Sequence, residues 1–124
     1  MSNSSFLTAF NNVISQFIDD LIKTFPEERE FRKFKTGFSL LKSTNNKKIV
    51  QVFKFYIENY REQISNRDDN FFIVTDSETL SDSDDNSIAN LLDKLKVYWK
   101  LLSENNKDKI WQYLNTFIIL SNKI

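Results

Sequence analysis

The chain contains no cysteine and no histidine, and only one glycine and one proline. Each absence excludes something. Without cysteine there is no disulfide, no thiolate nucleophile and no thiolate metal ligand. Without histidine the chain lacks the commonest general base, the commonest imidazole metal ligand and the side chain that titrates near neutral pH. Serine–histidine and cysteine–histidine catalysis are therefore excluded within the chain. β-Rich folds lean on Gly and Pro for their turns, so one of each predicts helices joined by short polar loops. Long hydrophobic runs are missing too, since no stretch approaches the ~20 apolar residues of a membrane span. The segment MSNSSFL has no basic start, and Asn11, Asn12, Ser15 and Gln16 follow it, so no secretory signal is read. The expectation is a soluble, intracellular protein that does not meet a membrane.

What is present is aromatic mass and charge of both signs. Twelve Phe, four Tyr and two Trp fall in 124 residues, the length of one domain. Each large aromatic buries ~150–250 Å², so a few helices can enclose a substantial core. The net charge of zero hides an asymmetry. Met1–Arg67 holds eleven basic and seven acidic residues, whereas Asp68–Ile124 holds six and ten. Halves of opposite sign attract each other within one fold or attract separate partners.

Apolar periodicity predicts five helices, at about 5–25, 26–43, 46–64, 88–102 and 104–121. In the first, Leu7, Phe10, Ile14, Phe17 and Leu21 step by three and four, behind a Ser4 or Ser5 cap. In the second, Pro26 fits the first helical turn, and Phe31, Phe34, Phe38 and Leu41 form the stripe with Leu40 beside it. Gly37 sits inside this pattern at a cost of about 1 kcal/mol relative to Ala, which predicts a close helix crossing or a bend. The third helix carries Ile49, Phe53, Tyr56, Tyr60 and Ile64, with Phe55 off the stripe. Ser87 caps the fourth, whose apolar face runs from Ile88 to Leu102, and a polar break at Ser103–Asn106 caps the fifth. The short connection predicts that the last two helices form an antiparallel hairpin. Between the third and fourth lies an acidic crossover loop, 66–87, with no Lys or Arg between Arg67 and Lys94.

The stretches LLDKLKVYWKLL and SENNKDKIWQYLNTFIIL, together with FIDDLIKTFPEEREFRKFK and NRDDNFF, resemble a family of small helical proteins of large nucleocytoplasmic (giant) DNA viruses. Members of that family are mostly uncharacterised. The resemblance covers most of the chain and rests on Trp, Tyr and Leu at helical spacing. It implies a helical fold and a viral setting, in the host cytoplasm, viral factory or virion. It carries over no catalytic residue.

Five constellations in the sequence bear on chemistry. Asp82, Asp84, Asn86 and Asp93 fall at EF-hand spacing, but Ser87 stands where the calcium loop needs Gly and Asp93 where it needs a bidentate Glu. A solvated acidic loop is the better reading, and no metal or other cofactor is expected. Thr75, Thr79 and Ser81 each have an acid three residues on, the pattern of acid-directed phosphorylation. Each phosphate would add roughly 1.5–2 negative charges. Arg29, Arg32, Lys33, Lys35, Lys42, Lys47 and Lys48 concentrate in the second and third helices. Arg32, Lys35, Ser39 and Lys42 share one helical face, as a phosphate-binding or acidic-partner face requires. Phe31, Phe34 and Phe38 lie at core spacing, which argues against their use as stacking platforms. Asp19–Asp20 and Glu27–Glu28 offer acids, but neighbours in sequence point to different helix faces and do not by themselves build a carboxylate site. Phe71 and Phe72 anchor the acidic loop onto the helices in this reading.

The fold expected is one all-α domain, a five-helix bundle-like arrangement with an acidic crossover. The function expected is non-enzymatic: protein interaction or a structural role in a large DNA virus, with protein partners or a homodimer. The alternative is nucleic-acid binding through the basic face of helices two and three.

Overall fold

A computed structural model describes residues 3–57, 60–68 and 87–124, with the backbone alone at residues 3, 4, 56, 87–90, 92 and 93. Among the described residues the protein is all-helical. The elements are α1 (Asn3–Thr24), α2 (Arg29–Thr44), α3 (Lys48–Ile57), α4 (Arg61–Ser65), α5 (Ser87–Tyr98), one 3-10 turn (Trp99–Leu101) and α6 (Glu104–Ser121). None of the described helices is long and apolar enough to cross a membrane.

The centre is a knot of phenylalanines. Phe10 of α1, Phe53 of α3 and Phe117 of α6 meet in pairs with ring centroids 5.3–5.5 Å apart. Phe17, about two turns along α1, joins Phe117 at 5.6 Å edge-on. Tilted and edge-on pairs suit the ring quadrupole and add about 0.5–1.5 kcal/mol each beyond area burial. A second cluster forms where the α1–α2 turn meets α5, with Phe25 stacked on Tyr98 at 4.4 Å and Phe31 against both. Trp99 packs edge-on against Trp111 at 5.4 Å and ties the 3-10 turn to α6.

Several sequence expectations are corrected. α1 begins at Asn3, so Ser4 and Ser5 lie inside it rather than capping it. Pro26 sits in the turn, not in the first turn of α2. The cap is Glu28, whose carboxylate accepts the Glu30 N–H at 3.1 Å. An acid there satisfies an orphan donor and also meets the positive end of the helix dipole. Gly37 is exposed, and a Cβ built on it meets nothing within 4 Å, so no close crossing requires it. Leu40 points outward and is 64% exposed. The fourth predicted helix tightens into a 3-10 turn at Trp99 before it ends.

The third predicted helix is two helices. α3 is described as far as Ile57, and α4 starts after Tyr60, whose backbone leaves the helical region at φ −119° and ψ 7°. α4 closes in a Schellman motif: Asp68 N–H donates to Gln63 C=O at 2.9 Å and Arg67 N–H to Ile64 C=O at 3.1 Å. Arg67 occupies the left-handed position, with φ 52°, where glycine is the usual choice. α6 holds this short helix in place. Asn115 Nδ2 donates to Ile64 C=O at 3.2 Å, Arg61 Nη1 to Asn122 Oδ1 at 3.0 Å, and Arg67 pairs with Asp108.

Among the described residues the last two predicted helices meet where Trp99 packs on Trp111 rather than along the expected hairpin. Among the described residues α5 lies against α2 and α3, while α6 lies against α1 and α4. The wide apolar face of α1 explains the split, because α1 takes α6 on one side and α2 on the other. The fifth predicted helix matches α6, and its cap is as expected, with Ser103 Oγ accepting the Asn106 N–H at 3.1 Å. The loop residues expected at 69–86, including the proposed anchors Phe71 and Phe72, lie outside the described residues.

Candidate functional site

Residues 31–57 contain seven Lys or Arg and no Asp or Glu. They make up nearly all of α2, the Asn45–Lys47 turn and the whole of α3. The two helices pack on each other, and their inner faces are spent on the core: Phe31 and Phe38 from α2, Ile49, Val50, Phe53 and Ile57 from α3. The cations are left on the outside.

The structure divides the predicted basic face. Lys35 is neutralised by Asp19 of α1 at 2.8 Å, and Lys33 pairs with Glu30 within α2 at 3.2 Å. Both pairs are exposed, so each contributes little to stability. Arg29, Arg32, Lys42 and Lys47 are exposed and form no ion pair among the described residues. Lys42 Nζ lies 5.8 Å from the centre of the Phe38 ring. Lys48 opens α3 and is half-buried. From Arg29 to Lys42 the helical rise spans about 20 Å. Thr75, Thr79 and Ser81 lie outside the described residues, as do Asp82, Asp84 and Asn86.

Sequence periodicity left one residue without a role. Phe55 of α3 is 85% exposed, the most exposed large apolar side chain among the described residues. It shares the outer side of α3 with Lys48 and Gln51, at helical spacings of four and seven, and Lys54 precedes it. The signal was legible: Phe55 falls off the stripe inside an acid-free run.

Other polar groups hold the fold together. Glu28 accepts the Tyr98 hydroxyl and faces Lys94 Nζ at 3.7 Å, which clamps α5 to the start of α2. The Tyr98 hydrogen bond, then the Glu30 N–H, hold the Glu28 carboxyl below its ordinary value, and the same bond holds the Tyr98 hydroxyl above its own. Tyr113 of α6 donates to Asp20 of α1. Burial, then that hydrogen bond and the nearby carboxylates, push the Tyr113 hydroxyl up to about 12. Asp19 and Asp20 therefore serve two different neighbours, α2 and α6, and do not form a carboxylate pair.

Beside Tyr113 runs a groove of about 410 Å³ between α1 and α6, lined by Val13, Gln16, Asp20, Lys109, Gln112 and Thr116. Its walls are as polar as they are apolar, unlike the mostly apolar lining of small-molecule pockets. Among the described residues no three Asp or Glu gather at metal-binding distance. No family model, curated protein or solved structure matches the chain.

Proposed function

We propose that this chain is a non-enzymatic interaction or structural protein, working through protein partners or through a second copy of itself. Its setting, on the resemblance of its helical motifs, is a large DNA virus. The observation that supports this reading is the set of large apolar side chains turned to solvent: Leu40, Phe55, Val97, Leu101 and Ile119, each more than half exposed. Outward apolar side chains on several elements are the raw material of association surfaces. The mass in solution tests it. A species heavier than the 14.7 kDa chain, reduced to the monomer by polar substitutions at Val97 and Leu101, is the expected result. A strict monomer that captures no specific partner in infected cells would sink the reading.

A second reading is nucleic-acid binding by the outer surface of the α2–α3 pair. The acid-free run favours it, as do Arg29, Arg32, Lys42 and Lys47, which form no ion pair among the described residues. Phosphate backbones reward such a surface by counterion release. Retention on immobilised DNA or RNA that weakens steeply with salt is the expected result. The absence of retention at low salt would remove it.

A further inference from the structure

We propose that the outer surface of α2 and α3 binds single-stranded nucleic acid, with the ring of Phe55 stacking on an unpaired base. The inference rests on the second reading above and names its ligand.

Three features of the surface carry it. The first is charge, because residues 31–57 present seven cations and no carboxylate, and only Lys33 and Lys35 are paired among the described residues. The second is Phe55, an aromatic ring 85% exposed next to Lys54, whereas most other phenylalanines among the described residues are buried or packed on the core. The third is the company Phe55 keeps. Lys54 precedes it in sequence, and Gln51 and Lys48 lie about one and two turns back along α3. Protein interfaces are depleted in Lys around their aromatic anchors. Surfaces for single strands combine cations that track the backbone with aromatics on which bases stack, and this pairing needs no sequence-specific contact. A paired base has its faces covered by its neighbours in the stack, so a lone exposed ring selects for unpaired bases. Phe55 takes the base, Lys47, Lys48 and Lys54 meet the adjacent phosphates, and Arg32 and Lys42 continue the track along α2.

Fluorescence anisotropy of labelled oligothymidylate of about twenty nucleotides, against a duplex of equal length, tests the proposal. The wild-type chain is expected to bind the single strand more tightly than the duplex. Affinity should fall steeply between about 50 mM and about 200 mM salt. Phe55→Ala should weaken single-strand binding roughly tenfold or more while leaving duplex binding and the circular dichroism spectrum unchanged. Phe55→Trp should retain the affinity. Lys54→Ala should lower the salt slope by about 1. Binding that neither prefers single strands nor depends on Phe55 would overturn this inference and leave the second reading standing. No binding to any nucleic acid at low salt would overturn both. If Phe55→Ala instead dissolves a dimer in sedimentation experiments and leaves anisotropy unchanged, Phe55 belongs to a protein interface and the proposal fails.

Discussion

Phe53 and Phe55 lie two residues apart on α3 and have opposite fates. Phe53 sits in the central knot at 1% exposure, while Phe55 stands in solvent. The same contrast separates two regions of the molecule. Along α6, where it meets α1 and α4, aromatic rings interlock and polar side chains close on partners: Tyr113 on Asp20, Asn115 on Ile64 and Arg61 on Asn122. On the outer surface of α2 and α3, Arg32, Lys42 and Lys47 form no ion pair among the described residues, and the Phe55 ring stays unburied. One region is satisfied by its own chain. The other has binding capacity that its own described residues do not use.

The comparison can be broken most sharply at Phe117. It contacts Phe10, Phe17 and Phe53, so Phe117→Ala leaves a cavity shared by three helices. The expected loss is about 3–5 kcal/mol in urea unfolding. A loss under about 1 kcal/mol would show that the knot is not the organising core.

Next come two changes of about 1 kcal/mol and opposite sign. Ser103→Ala removes the α6 cap and should cost about 1 kcal/mol. Gly37→Ala should gain about 0.5–1 kcal/mol, because the added methyl group meets open space on an exposed helix. A destabilised Gly37→Ala would mean that a neighbour approaches this face after all.

A smaller effect belongs to the Glu28 clamp. Its folded carboxyl titrates below the ordinary value of 4.5, so the stability it contributes is present above that value. That contribution is lost as pH falls through the folded value. Glu28→Gln should therefore lower the urea midpoint at about pH 7 and lower it less at about pH 3, relative to the parent. An equal drop at both pH values would assign the loss to packing rather than to charge.

The smallest stability change is expected at Phe55. Phe55→Ala should stay within about 0.5 kcal/mol of the parent, since little apolar area leaves water there. A core-like loss would place the ring against the fold and abolish the contrast with Phe53.

Much of the fold was legible in the sequence, because helices bury stripes and stripes repeat at three and four. Phe10, Ile14, Phe17 and Leu21 were found that way and are all buried. The end of α6 and its Ser103 cap were read correctly for a local reason, since both depend on a few adjacent residues. Local rules failed where tertiary contacts outbid them. α3 and α4 read as one helix because their apolar pattern continues through Tyr60, while α6 fastens α4 separately. Pro26 suits a first helical turn, but the Glu28 carboxylate caps α2 two residues later and holds Tyr98 as well. The candidate surface was half legible. Its cations were visible in the sequence, but which of them are neutralised depends on Asp19, a residue of another helix.

By itself the sequence determined the helical class, the core stripes and the absence of thiol and imidazole chemistry, because these follow from composition and from periods within single helices. Only the tertiary structure decided that α5 and α6 part to different neighbours, that Arg67 takes a left-handed turn, and that Lys35 is neutralised while Arg32 is not. It also decided that Phe55 stays in water. Those outcomes depend on which faces meet across the fold, and a period of 3.6 residues identifies a face without identifying its neighbour.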